Sequence, residues 1–185
     1  MKKVFVQNSV GGSGKDTWAS LLNKYISTFK YSIVDLPKEA AKVLGWDGGK
    51  TEKDRRFLSD IMDLSTNYND APFKDVLSLV TGFKNSKDYA EYKVLIIDMR
   101  DPKDIVRAVE TFGAETILIR NPNVKKIESN HADRDVENYK YDYIIENDGT
   151  LEQLERVAKL FVCDVICGKH IPEKDKPFTL ICSKY

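Results

Sequence analysis

Residues 9 to 17, SVGGSGKDT, stand between the apolar run Val4, Phe5, Val6 and a helical pattern with one apolar face. No other stretch limits the fold so strongly. Glycines between a buried strand and a helix let the backbone close around an anion, and the free N–H groups of the helix N-terminus attract one. The nearest signature is the phosphate-binding loop G-x-x-x-x-G-K-[ST]. This stretch departs from it twice, with Ser9 at the first glycine and Asp16 at the hydroxyl position. Ser9 is small enough for the turn provided that its φ is negative. Thr17, one place later, offers a hydroxyl to a metal ion. Asp16 has two readings: a first-turn anion that suits the helix dipole, or an oxygen ligand of magnesium.

The remainder alternates between strand and helix. Trp18, Leu21, Leu22, Tyr25, Ile26 and Phe29 recur at helical spacing after the loop. A second strand is expected over 31–34, closed by Asp35. Phe57, Leu58, Ile61 and Met62 mark one following helix; Phe73, Val76, Leu77 and Val80 mark another, with Pro72 in its first turn. Further strands are expected over 94–97, ending on Asp98, then 116–119 and 143–145. Asp101 and Pro102 start the helix between the first two of these, and Gly113 stops it. Thr150 and Gln153 have capping-box spacing before a last helix. Strands separated by helices predict an α/β fold with a mainly parallel sheet covered on both faces. Two stretches break the alternation: a helical insertion over 36–92 and a polar segment over 121–140 that is read as a lid. The tail, 168–185, carries a short apolar run, 178–182, expected as an edge strand.

A chain of 185 residues fits a single domain, and a formal net charge of zero argues against a polyanion as main partner. No apolar run has the length of a membrane span and no signal-peptide pattern opens the chain, so a cytoplasmic protein is expected. Cys163, Cys167 and Cys182 lack the spacing of a zinc site or a disulfide framework; Cys163 and Cys167 are read as small core residues.

The G-K-D-T loop resembles that of the deoxynucleoside monophosphate kinases, in the P-loop nucleoside-monophosphate kinase group. The likeness continues through VDLPKEAAKVLGWDG after the second strand, IIDMRDPKD at the end of the third, and YDYIIENDGTLEQL near the end of the domain. In HADRD, His131 and Ala132 match the family's lid. The resemblance covers most of residues 4 to 160, and the order of these motifs is more specific than any one of them beyond the loop.

It implies a three-layer α/β/α P-loop NTPase fold over residues 1–185, with five parallel strands in the order 2-3-1-4-5. It further implies phosphoryl transfer from ATP, with Mg2+, to a nucleoside or deoxynucleoside monophosphate. Gly12, Ser13, Gly14, Lys15, Asp16 and Thr17 would hold ATP, with Asn147 beside its adenine. Lys15, Arg100, Arg120 and Arg134 would act on the transferring group, and Thr17 and Asp98 would hold the metal. Asp35, Lys38, Arg55, Arg56 and Arg100 would bind the acceptor.

The residue types agree with that assignment. The chain has 22 lysines but only seven arginines, and three of those, Arg100, Arg120 and Arg134, follow strands or lie in the lid. Arginine's planar fork suits phosphate oxygens. Trp46 is better read as packing than as a stacking base platform, and His131 is a lone histidine in a polar segment. Expected partners are ATP and a small nucleotide acceptor, with no nucleic-acid polymer, no membrane, and a homodimer left open. The rival readings are a kinase for another small acceptor, such as dephospho-coenzyme A, and a nucleotide-binding regulatory protein without turnover.

Overall fold

The structure, a computed structural model, describes residues 2–124, 136–169 and 179–180. β1 (Lys3–Asn8) and β3 (Val94–Asp98) are buried along almost their whole length, as apolar runs are when both faces of a parallel sheet are covered. β1 pairs in parallel with β3 on one side and with β4 (Glu115–Arg120) on the other. β2 (Thr28–Ser32) joins β3, and β5 (Tyr143–Glu146) joins β4, so the five parallel strands run β2-β3-β1-β4-β5. The expected order holds. β6 (Thr179–Leu180) adds antiparallel to β5. It realises the central part of the edge strand expected over 178–182, whose other residues lie outside the described ones.

Side-chain alternation divides the core in two. Phe5, Ile96 and Ile117 meet Trp18 and Leu22 of α1 (Lys15–Tyr25) and Phe161 of α6 (Leu151–Phe161) on one face. Val6, Leu95 and Ile97 meet Val76 and Phe83 of α4 (Ala71–Asn85) and Ile105 of α5 (Pro102–Phe112) on the other. The terminal signals act as their chemistry dictates. Asp101 accepts a hydrogen bond from the Lys103 N–H, Gly113 ends α5 at φ 67°, and Thr150 with Gln153 forms a reciprocal capping box.

Two expectations are corrected. Phe29 belongs to β2 rather than to the preceding helix, because the chain turns extended at Ile26 and Thr28 comes into register with Val94. The second strand therefore starts and ends earlier than expected. Residues 36–92 are helical as expected, but unevenly held: α2 (Asp35–Val43) buries Pro37 and Ala41, α3 (Glu52–Asn69) buries none, and α4 buries Phe73, Val76, Val80 and Phe83 in the main core. Cys163 is only half-buried and Cys167 is exposed. Cys163 lies within a π-helical turn, Val162–Ile166, and Cys167 caps its end, past the last buried core positions, Phe161 and Val162. Among the described residues no helix is long and apolar enough to cross a membrane.

Candidate active site: a phosphate-binding loop with a lysine–aspartate cluster

The loop between β1 and α1 puts its left-handed demands on two glycines, Gly12 at φ 89° and Gly14 at φ 94°. Ser9 is buried and does not take a left-handed φ, so a serine satisfies the turn there. Its N–H donates to Asn8 Oδ1 at 2.8 Å. Gly14 has a second requirement, since a Cβ on it would come within 2.4 Å of Asn147 Nδ2. That amide donates to the Ser13 carbonyl at 2.9 Å, while the Asn147 N–H donates to the Arg120 carbonyl at 2.7 Å. Asn147 thus buttresses the loop from the end of β5. Its Nδ2 is engaged with protein rather than facing open space.

Lys15 opens α1, and its Nζ lies 2.7 Å from Asp98 Oδ2 and 3.1 Å from Asp16 Oδ1. A residue that sequence reasoning missed completes the arrangement. Lys30, on edge strand β2, pairs with Asp16 Oδ1 and lies 3.1 Å from Asp98 Oδ2. Two ammonium groups thereby share the same two carboxylate oxygens. Burial alone would raise the Asp16 carboxyl, but hydrogen bonds and charge from Lys30 and Lys15 outweigh it and hold the group below the usual carboxylate range. Burial likewise pulls Lys30 downward, and Asp16 and Asp98 more than reverse it. Fully buried Gln7 donates Nε2 to Asp98 Oδ1 at 2.6 Å.

Sheet register explains why these groups meet. Gln7 stands opposite Asp98 across the β1–β3 pair, and Lys30 stands opposite Ile96 across the β2–β3 pair. Ile96 and Asp98 are two residues apart, so they share the face that α1 covers. In the sequence, the helical spacing that runs on to Phe29 masks Lys30. The alternation Thr28, Lys30, Ser32 was the available signal.

The remaining predicted residues divide. Thr17 is exposed, and the described contacts of the cluster run through Asp16 rather than through it. Arg100 is half-buried just past β3, and its carbonyl accepts from Asn8 Nδ2 at 3.2 Å. The same Nδ2 donates to Tyr141 Oη at 2.8 Å, and Tyr141 in turn donates to the Val136 carbonyl at 2.7 Å. Burial above all pushes the Tyr141 phenol far above its ordinary value, so it remains a hydroxyl that ties β1 to residues 136–141. Arg120 Nη1 is 2.9 Å from Glu146, while its Nε has no hydrogen-bond partner among the described residues. Beside it, a cavity of about 210 Å³ is lined by Val10, Ser13, Pro122, Val124 and Val136. Arg134 and His131 lie outside the described residues.

Of the residues expected to bind an acceptor, Asp35 opens α2; its Oδ2 accepts from the Ser32 N–H at 2.9 Å, and its Oδ1 pairs with Lys38 at 2.8 Å. Arg55 and Arg56 are exposed in the first turns of α3, with no described contact to the loop. Trp46 donates Nε1 to the Gly49 carbonyl at 3.2 Å, a contact of packing.

Asp16 and Asp98 offer hard oxygen donors of the kind that magnesium prefers, and both already hold cations. These residues fit a divalent cation.

No family model and no curated protein matches the sequence. Solved structures match its fold. A sugar kinase from Janibacter sp. HTCC2649 superposes with TM-score 0.52 at 12% identity, over 93% of this chain and 100% of that one. A shikimate kinase from Aquifex aeolicus gives TM-score 0.49 at 12% identity, over 89% of this chain and 99% of that one. At such identity the likeness is one of fold. The strand order and the loop between β1 and α1 agree with it: this chain has the fold of the P-loop kinases.

Proposed function

We propose that the chain is an ATP-dependent phosphotransferase whose acceptor is a nucleoside or deoxynucleoside monophosphate. The observation that carries the reading is Lys15 at the mouth of α1, with its ammonium 2.7 Å from the buried carboxylate that ends β3. In such an arrangement the loop N–H groups and Lys15 bind and orient the β- and γ-phosphates, and positioning with charge stabilisation supplies most of the catalysis. A magnesium ion bound with the nucleotide, held by Asp98 and Asp16, would supply further neutralisation of phosphate charge. An acceptor phosphate oxygen forms a bond to the γ-phosphorus as the bond from that phosphorus to the β–γ bridging oxygen breaks. ADP leaves and the acceptor becomes a diphosphate. Arg100, Arg120 and Arg134 are proposed to meet the transferring group, and Lys38, Arg55 and Arg56 the acceptor.

The choice of a monophosphate rests on the family resemblance and on Asp35. Both Asp35 oxygens are engaged, one by a backbone N–H and one by Lys38, as suits a residue that positions rather than one that takes a proton. A hydroxyl acceptor needs a base, whereas a monophosphate is already an anion at neutral pH. The test is ADP formation across a panel of ribo- and deoxyribonucleoside monophosphates, dephospho-coenzyme A and simple sugars. Turnover with one or more monophosphates is expected. Turnover only with a hydroxyl acceptor would replace the acceptor class, and ADP formation with none would leave a nucleotide-binding protein without transfer.

A further inference from the structure

Asp16 occupies the position at which phosphate-binding loops usually carry an uncharged hydroxyl, and a second anion beside Asp98 has to be balanced. The balance comes from across the sheet. Lys30 contacts Asp16 Oδ1 and Asp98 Oδ2, the same two oxygens that Lys15 contacts. Two lysines and two aspartates thus form a closed group of zero formal charge. Gln7, fully buried, donates to the other Asp98 oxygen and leaves its own Oε1 without a protein partner among the described residues, on the amide that already touches Asp98.

We propose that Lys30 is a resident counter-ion, seated between Asp16 and Asp98 until a divalent cation displaces it, so that Lys30 sets how tightly the site takes the metal. The inference deepens the functional reading above, since it concerns the same magnesium-nucleotide site. A dication entering between the two carboxylates meets two ammonium charges on the oxygens it needs. Lys15 has the nucleotide phosphates to move to. Lys30 lies on an edge strand with its side chain one-third exposed, and its four-carbon stem lets the ammonium withdraw to solvent. Asp16 therefore acts as a metal-side carboxylate kept occupied by a lysine, and its first-turn position on α1 favours the negative charge as well.

The experiment titrates the full chain with Mn2+ alone, followed by electron paramagnetic resonance of the free ion, without nucleotide or acceptor. Lys30→Gln is expected to bind Mn2+ about tenfold more tightly than the unchanged chain, as removal of one like charge at contact distance would give. Lys30→Arg keeps the cation and should leave the affinity near its original value. Asp16→Asn on the Lys30→Gln background should abolish the gain. Melting curves establish that each variant is folded; addition of Mn2+ should raise the melting temperature of Lys30→Gln more than that of the unchanged chain. Equal or weaker Mn2+ binding by Lys30→Gln, no measurable binding by it, or the same gain in Lys30→Arg would overturn the proposal. No phosphoryl transfer enters the measurement, so a chain that phosphorylates no acceptor would still give either answer.

Discussion

α1 and α3 are both amphipathic helices, and they are held in very different ways. α1, with 11 residues, buries Trp18, Ala19, Leu21 and Leu22 and begins inside the phosphate-binding loop. α3, with 18 residues, buries none, and leaves Leu64 and Tyr68 71% and 84% exposed. The loop that opens α1 is thus built into the core, whereas α3 rests on α2 and α4 at its margin. Loop, Lys15 and Asp98 are positioned by sheet register before any ligand arrives. Arg55 and Arg56 are not. On the function proposed above, the core-held loop would grip the nucleotide and the marginal α3 would be the part free to close on an acceptor.

The sharpest way to break this comparison is through the core. Trp18→Ala should cost about 3–5 kcal/mol of stability, in the range for deleting a buried large aromatic, whereas Leu64→Ala should stay within about 0.5 kcal/mol. Denaturant melts of the two variants decide it. Similar losses would show that α3 is as firmly integrated as α1.

Activity should divide along the same line. Lys15→Met is expected to lower kcat for ADP formation by roughly 10²–10³-fold or more, the range for removal of one preorganised charge-stabilising donor. Circular dichroism should show an intact fold, because Lys15 contributes its charge at the mouth of α1 and little to the core. A near-normal rate would remove the loop from the mechanism.

The end of α3 is anchored to α5 by charge. Arg107 of α5 pairs with Asp70 at the junction of α3 and α4, lies over the Phe73 ring at 3.8 Å, and stands 3.6 Å from Asp104. Burial, with Asp101 adding and Arg107 opposing, raises the Asp104 carboxyl to about 6. A raised carboxyl binds its proton more tightly in the folded chain than in the unfolded one. Stability should therefore fall as pH rises from about 4 to about 6, and recover on acidification through that window. Asp104→Asn should flatten this dependence and stabilise the protein by about 1–2 kcal/mol at pH 7. Melting temperatures against pH for both proteins are the check, and an unchanged slope would exonerate Asp104.

The smallest expected effect concerns the acceptor. Asp35→Asn should lower kcat less than tenfold, far short of the roughly 10²–10⁴-fold that loss of a general base costs. Its consequence should fall mainly on the acceptor's KM, through a displaced Lys38. A loss of 10² or more in kcat with acceptor binding intact would make Asp35 a base and the acceptor a hydroxyl.

Much of this molecule is legible in its amino-acid order alone. The buried strands, the loop before α1, the Asp101 and Thr150 caps and the Gly113 stop all rest on interactions among residues a few positions apart, so their signals lie in short stretches. The alternation of strand and helix then restricts the sheet to a parallel one. Tertiary structure decided what local signals cannot carry. Lys15 meets Asp98 across 83 residues, Gln7 meets it across 91, and Asn147 reaches Ser13 across 134. Lys30 enters the site only because β2 pairs with β3 in a register that aims it at the α1 face, and a one-residue slip would turn it to the opposite face. The same dependence on register and packing draws α4 into the core, leaves α3 outside it, and makes Asp16 rather than Thr17 the partner of Lys30.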